Sequence, residues 1–137
     1  MVQRLYGIRS NLGEVNVHGK ILIACRDESC RKSLLNLFAG QDCSVTAVPD
    51  ETDLLLEILE RDYDVLIYDL ENSALNGLKG VKIIKKIRPK LALVVISNNP
   101  SKELGGRILQ EGVIYYDVKP IHAEAMKRAV SNRLTNR

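Results

Sequence analysis

Apolar and polar positions follow two rhythms along this chain. Short runs with apolar side chains at nearly every position read as strands buried on both faces. The stretches between them space their apolar residues three and four apart, as amphipathic helices do. The spacing predicts a first strand over residues 21–25, then a helix over 29–39 carrying Leu34, Leu35, Leu37 and Phe38 and stopped by Gly40. Ser44–Val48 is a short β-branched strand, and Pro49-Asp50 opens a second helix, capped by Asp50, with Leu54, Leu55, Ile58 and Leu59 at helical spacing. Residues 64–70 (DVLIYDL) are almost wholly apolar until Asp69 and predict a central strand. A turn-rich loop over 71–77 leads into a helix over 78–88, halted by Pro89. Residues 91–97 (LALVVIS) form the next central strand. The helix expected over 103–110 is weak, because Gly105 and Gly106 each cost about 1 kcal/mol relative to alanine. A fifth strand over 113–118 and a last helix that buries Ile121, Ala125, Ala129, Val130 and Leu134 complete the pattern.

Five strand–helix units without a glycine-rich phosphate loop predict an α/β, flavodoxin-like, doubly wound five-stranded parallel sheet in the order 2-1-3-4-5, with five helices. In such a sheet, sites form beyond the carboxyl ends of the strands, near the point where the strand order reverses. Asp69, Ser97 and Lys119 all fall at or beside such ends. Taken alone, Asp69 reads as a turn-forming or capping aspartate. In register with Ser97 and Lys119 it reads as chemistry, because a packed core has no use for an isolated carboxylate at a strand tip.

Composition narrows the classes. A chain of 137 residues suits a single hydrophobic core, and 45% hydrophobic with 27% charged residues is ordinary for a globular domain. No apolar run approaches the roughly 20 residues that cross a bilayer. Arg4 and Arg9 are not followed by the apolar stretch of a secretory signal, so no membrane partner is expected and the expected compartment is the cytoplasm. Cys25, Cys30 and Cys43 lack the CxxC spacing of zinc or redox sites and read as reduced, structural thiols. Cys25 is the exception, expected at the mouth of the site beside Arg26, where a cation lowers a thiol pKa. His18 and His122 have no companion ligands. A net charge of +3 does not argue for nucleic acid, and Lys79, Lys82, Lys85, Lys86 and Arg88 on the third helix read as a solvated face. Neither GxxxxGK(S/T) nor GxGxxG is present.

In chain order, an apolar run ending in Asp69, then Gly77, a run ending in Ser97, Tyr116, and the dipeptide Lys119-Pro120 make a pattern that resembles the receiver domain of two-component response regulators, of the chemotaxis-regulator type. The resemblance runs from Lys20 to Leu134 and divides the chain into an N-terminal extension, residues 1–19, and a receiver domain, residues 20–137. The extension reads as a hairpin turning at residues 10–13 between Val2 to Arg9 and Glu14 to His18, as a flexible leader, or as a remnant of a preceding segment. The resemblance implies that Asp69 is the phosphoacceptor, a carboxylate nucleophile assisted by a divalent cation because the transferring group is anionic. It implies that Lys119, aimed by a cis Pro120, holds a carboxylate or phosphoryl oxygen. Ser97 would donate its hydroxyl to the phosphoryl group and move toward it, and Tyr116 would turn inward as Ser97 moves. The implied function is phosphorelay signalling rather than enzyme catalysis. A histidine kinase or phosphotransfer protein supplies the phosphoryl group, and a protein partner or homodimer reads the switch through the fourth helix, fifth strand and fifth helix. No direct contact with nucleic acid is implied.

Two features depart from that pattern. Where the family carries an acidic pair after its first strand, this chain reads Cys25-Arg26, so the metal-site position is degenerate, and Ser73 replaces a proline often found after the acceptor. Asp27 and Glu71 are the carboxylates left as oxygen ligands. A guanidinium stays charged and repels a divalent ion, so magnesium binding is expected to be weak or absent, with Arg26 paired to Asp69 in its place. The departure keeps a second reading open, a phosphorylation-independent pseudo-receiver serving as a protein-binding or dimerisation module. A faint likeness of Asp69-Leu70-Glu71 to the DxD nucleophile of dehalogenase-type phosphatases fails on position, since those carry it on the first strand of a larger chain. If Arg137 is the natural end, no DNA-binding effector follows and output is expected through protein contacts.

Overall fold

Successive side chains along a strand point to opposite faces, and that alternation organises the molecule. The computed structural model describes residues 3–6, 19–72 and 77–136. Its elements in chain order are β1 (Gln3–Tyr6), β2 (Lys20–Ala24), α1 (Glu28–Phe38), β3 (Ser44–Val48), α2 (Glu51–Glu60), β4 (Val65–Asp69), a 3-10 turn (Leu70–Asn72), α3 (Gly77–Ile87), β5 (Ala92–Ser97), α4 (Lys102–Gln110), β6 (Tyr115–Val118) and α5 (Ala123–Thr135).

The strands form one six-stranded sheet in the order β1-β3-β2-β4-β5-β6. Its five parallel members, β3-β2-β4-β5-β6, have the 2-1-3-4-5 order expected of the alternating strand and helix pattern. The sixth, β1, falls in the first arm of the hairpin reading, but its partner was not foreseen: it pairs antiparallel with β3, from Gln3 opposite Ala47 to Tyr6 opposite Ser44, and so covers that edge. The hairpin expected to turn at residues 10–13 lies outside the described residues, as do His18 and Ser73.

Two apolar layers sandwich the sheet. Ile21, Ile23 and Cys25 share one face with Val65 and Ile67, under Leu34 and Phe38 of α1 and Met126 and Val130 of α5. Leu22, Leu66 and Tyr68 lie on the other, under Leu54 and Ile58 of α2, Val81 and Ile84 of α3 and Ile108 of α4. The strands are therefore buried on both sides, which is why they read as continuous apolar runs. In α5 the deepest residues are Met126 and Val130, while Ala125 and Ala129 are only half-buried, so the buried stripe is rotated slightly from the expected one.

Local signals were largely obeyed. Asp50 caps α2 by accepting a hydrogen bond from Asp53 N, and Gly40 lies at φ +83°, where a side chain would be strained, just past the end of α1. Gly80 has a packing reason: a Cβ there would meet the hydroxyl of buried Tyr68 at 2.5 Å. That hydroxyl donates to Glu51 Oε2 at 2.9 Å, tying β4 to α2. No helix among the described residues is long and apolar enough to cross a membrane.

Candidate functional site

Sheet register brings Cys25 and Asp69 together. Ala24 lies beside Tyr68 in the β2–β4 pairing, so Cys25 and Asp69 are the next step at the carboxyl edge, both on the α1–α5 side of the sheet. Asp69 is 2% exposed, and each of its oxygens is engaged. The Lys119 ammonium donates to Oδ2 at 2.6 Å and the Cys25 thiol donates to the same oxygen at 3.3 Å. The Glu71 backbone N–H donates to Oδ1 at 3.0 Å. A carboxylate this deep accepts from three donors, an ammonium, a thiol and an amide, which fix its orientation.

Lys119 reaches Asp69 from the end of β6. Its backbone N–H donates to Ser97 O at 2.9 Å, and the Lys119–Pro120 peptide is cis, as the dipeptide implied. Burial pulls the Lys119 pKa down, but the hydrogen bond and attraction to Asp69 outweigh it and hold the ammonium above its ordinary value.

Ser97 ends β5, buried, next to Asp69 in the sheet. Its hydroxyl oxygen accepts from Asn99 N at 2.9 Å, and the Tyr116 hydroxyl donates to Asn99 O at 3.4 Å. Asn99 thus connects the two residues expected to switch. The Tyr116 ring lies over α4, where a Cβ on Gly105 would approach its Cε2 to 2.9 Å. A shallow cleft beside Asp69 is lined by Leu70, Glu71, Ser97, Asn99 and Leu104.

The residues after β2 depart from expectation. Arg26 is exposed and pairs with no acid among the described residues; the cation on Asp69 is Lys119. The reason is local. Asp27 caps α1 by accepting from Ser29 N at 3.1 Å, and Arg31 donates to the carbonyls of Cys25 and Arg26 at 2.9 and 3.2 Å, so the turn folds inward at Cys25 and outward at Arg26. Glu71 accepts from Asn98 N at 3.0 Å and bridges two loops. Neither Asp27 nor Glu71 is bonded to Asp69 through its side chain, and both are exposed.

Sequence reasoning missed Cys30. It stands in the first turn of α1, half-buried, and its sulfur, the Cys25 sulfur and an Asp69 oxygen lie within 4.8 Å of one another. The neighbouring Cys25 thiol, with the Lys119 charge nearby, lowers the Cys30 pKa despite some burial. Cys25 is shifted the other way. The neighbouring Cys30 and burial raise its pKa, against the lowering expected of Cys25. The only sequence signal for this was positional, a third helical residue turned back toward the strand it follows. A second cluster escaped notice too: buried Asp117 accepts from His122 N and pairs with His122 Nδ1, both at 2.7 Å, and closes the turn into α5.

Comparison with known proteins agrees with the fold. Residues 21–131 match the family model of the response regulator receiver domain. Among curated proteins, the transcriptional regulatory protein ZraR of Salmonella typhimurium is 23% identical over 122 residues, which is 88% of this chain and 28% of that protein. The chain therefore spans little more than a quarter of that relative's length. Among solved structures, a Francisella response regulator receiver domain superposes with a TM-score of 0.79 at 23% identity, covering 86% of this chain and 98% of that one. A CheY-like receiver domain protein from Methanospirillum hungatei does so with a TM-score of 0.77 at 18% identity, covering 86% and 94%. The family match over residues 21–131, together with the order of the five parallel strands, makes the assignment: the chain belongs to the response regulator receiver family, the phosphorylation-driven signalling domains of two-component systems.

Proposed function

We propose that Asp69 is the phosphoacceptor. The observation that carries this is the 2.6 Å contact between the Lys119 ammonium and Asp69 Oδ2 at the carboxyl edge of the sheet, with the Ser97 hydroxyl on the neighbouring strand end. In the reaction a carboxylate oxygen attacks phosphorus, the bond from phosphorus to the donor breaks, and the donor leaves with the electron pair. Lys119 offsets the charge that collects on the phosphoryl oxygens, and Ser97 turns its hydroxyl toward them. Through Asn99, that movement releases Tyr116 from its position over Gly105 and alters the surface of α4. The donor is a histidine kinase or phosphotransfer protein in the cytoplasm. The reader is a protein partner or second copy bound through α4, β6 and α5, where Leu109 and Ile114 stand 50% and 39% exposed.

Receiver domains characteristically use magnesium, and the donors present do not fit it. A hard cation requires several oxygen ligands. Here Asp69 is the one carboxylate at the centre, Asp27 caps a helix, Glu71 bridges loops, and a thiol stands where a second carboxylate belongs. The metal-site position is degenerate in this reading, and no step is routed through magnesium.

One observation favours the pseudo-receiver alternative. Both oxygens of Asp69 are already satisfied and almost fully buried, so the nucleophile has little lone-pair capacity free. The test is incubation of the chain with a small phosphodonor, with and without magnesium, followed by intact mass measurement. One added phosphoryl group that Asp69→Asn abolishes is the expected result. No addition under either condition, in folded protein, would leave the binding-module reading in its place.

A further inference from the structure

The side-chain cluster at Asp69 presents sulfur where a hard-cation site would present oxygen. Cys25 Sγ, Cys30 Sγ and an Asp69 carboxylate oxygen lie within 4.8 Å of one another, and Cys25 Sγ is 3.3 Å from Asp69 Oδ2. A tetrahedral ion with metal–sulfur and metal–oxygen bonds near 2.3 and 2.1 Å separates those two donors by about 3.6 Å. The donor separations therefore need to shorten by no more than about 1.2 Å to close on one centre. The backbone that carries them is braced, by the Asp27 cap and by the two Arg31 hydrogen bonds to the carbonyls of Cys25 and Arg26.

We infer that Cys25, Cys30 and Asp69 form a three-ligand site for a thiophilic divalent cation of the zinc class, with a fourth position open to solvent. Charge supports this choice of ion. Two thiolates and a carboxylate carry −3, Lys119 contributes +1, and a divalent cation brings the cluster to neutrality. A divalent cation held by Asp69 alone, beside Lys119, would leave net positive charge in a buried site. Donor softness points the same way, since thiolates select zinc over magnesium and calcium. The ion takes the place of the Cys25 thiol proton, which already lies between sulfur and Oδ2, so Lys119 keeps its hydrogen bond. Binding releases the two thiol protons to solvent. Cys30 is half-buried and gives the ion an entry path along the first turn of α1.

This inference goes beyond the phosphoacceptor reading and does not depend on it, because ion binding and phosphoryl acceptance are read separately. The test is titration of the reduced full chain with cobalt(II), followed by displacement with zinc(II). One cobalt per chain is expected, with thiolate-to-cobalt charge transfer in the near ultraviolet and the intense visible bands of a tetrahedral ion. Zinc should displace it and a large excess of magnesium should not. Cys30→Ser should weaken binding at least about tenfold and reduce the charge-transfer band. Cys43→Ser, remote from the site, should bind like the wild type. Cys30 is not fully buried, so Cys30→Ser keeps the test valid if Cys25→Ser fails to fold. Absence of the charge-transfer band, weak octahedral-type spectra, or a Cys30→Ser variant that binds like the wild type would each overturn the site.

Discussion

Asp69 is held by three donors of different kinds, and the contribution of each can be separated by substitution. Lys119→Met removes the charged one and leaves a buried carboxylate with a thiol and an amide, at an expected cost of about 1–3 kcal/mol in unfolding free energy. The pH dependence has a definite sign. The folded-state pKa of Lys119 is raised, so its contribution is fully present below the ordinary lysine value of 10.5 and is lost as pH rises through the higher folded value. Urea midpoints measured from neutral to strongly alkaline pH should show that loss in the wild type and a flatter profile in Lys119→Met. An equally stable variant with the same profile would mean that the ion pair does not hold the site. At this scale the sequence was readable where a polar residue interrupts an apolar run, which is how Asp69 and Ser97 stand out. Cys30 and Asn99 were not readable, because their nearness to the site comes from the turn of a helix and the path of a loop. Arg26 was misplaced for the same reason: neighbours along a turn need not point the same way.

The elements of greatest consequence are α4 and the strand end it covers. The two glycines of α4 looked alike in sequence, each lowering helix propensity, yet they differ in the fold. A Cβ at Gly106 meets nothing within 4 Å, whereas one at Gly105 approaches Tyr116 Cε2 to 2.9 Å. Both changes to alanine gain about the same helix propensity, so the difference between them isolates the contact with Tyr116. Gly106→Ala should be the more stable of the two by about 1–3 kcal/mol, the ordinary cost of overpacking, measured by urea unfolding. Equal stabilities would show that the Tyr116 ring does not rest on α4. Helix and strand positions were otherwise legible to within a residue or two. β-branched and leucine-rich runs bury both faces, and Asp50, Gly40 and Pro89 mark ends by capping, positive φ and a missing donor.

For the whole molecule, the parallel order of five strands followed from the strict alternation of strand and helix, which admits few topologies. β1 did not. A four-residue strand that joins an edge antiparallel carries no local periodicity, and only the open side of β3 recruits it. The two faces of the sheet have different tasks in this account. The α1–α5 face holds the cysteines and Asp69, while the α2–α4 face ends in Tyr116 and α4, and the strand-end residues Ser97, Asn99 and Lys119 connect them. The most direct test of that connection is amide hydrogen exchange over Lys102–Gln110 before and after treatment with a small phosphodonor, with Asp69→Asn as the control. The account predicts altered exchange in α4 and in β6 of the wild type, little change in α2, and no response in Asp69→Asn. Phosphoryl addition confirmed by mass, with exchange in α4 and β6 unchanged, would contradict it.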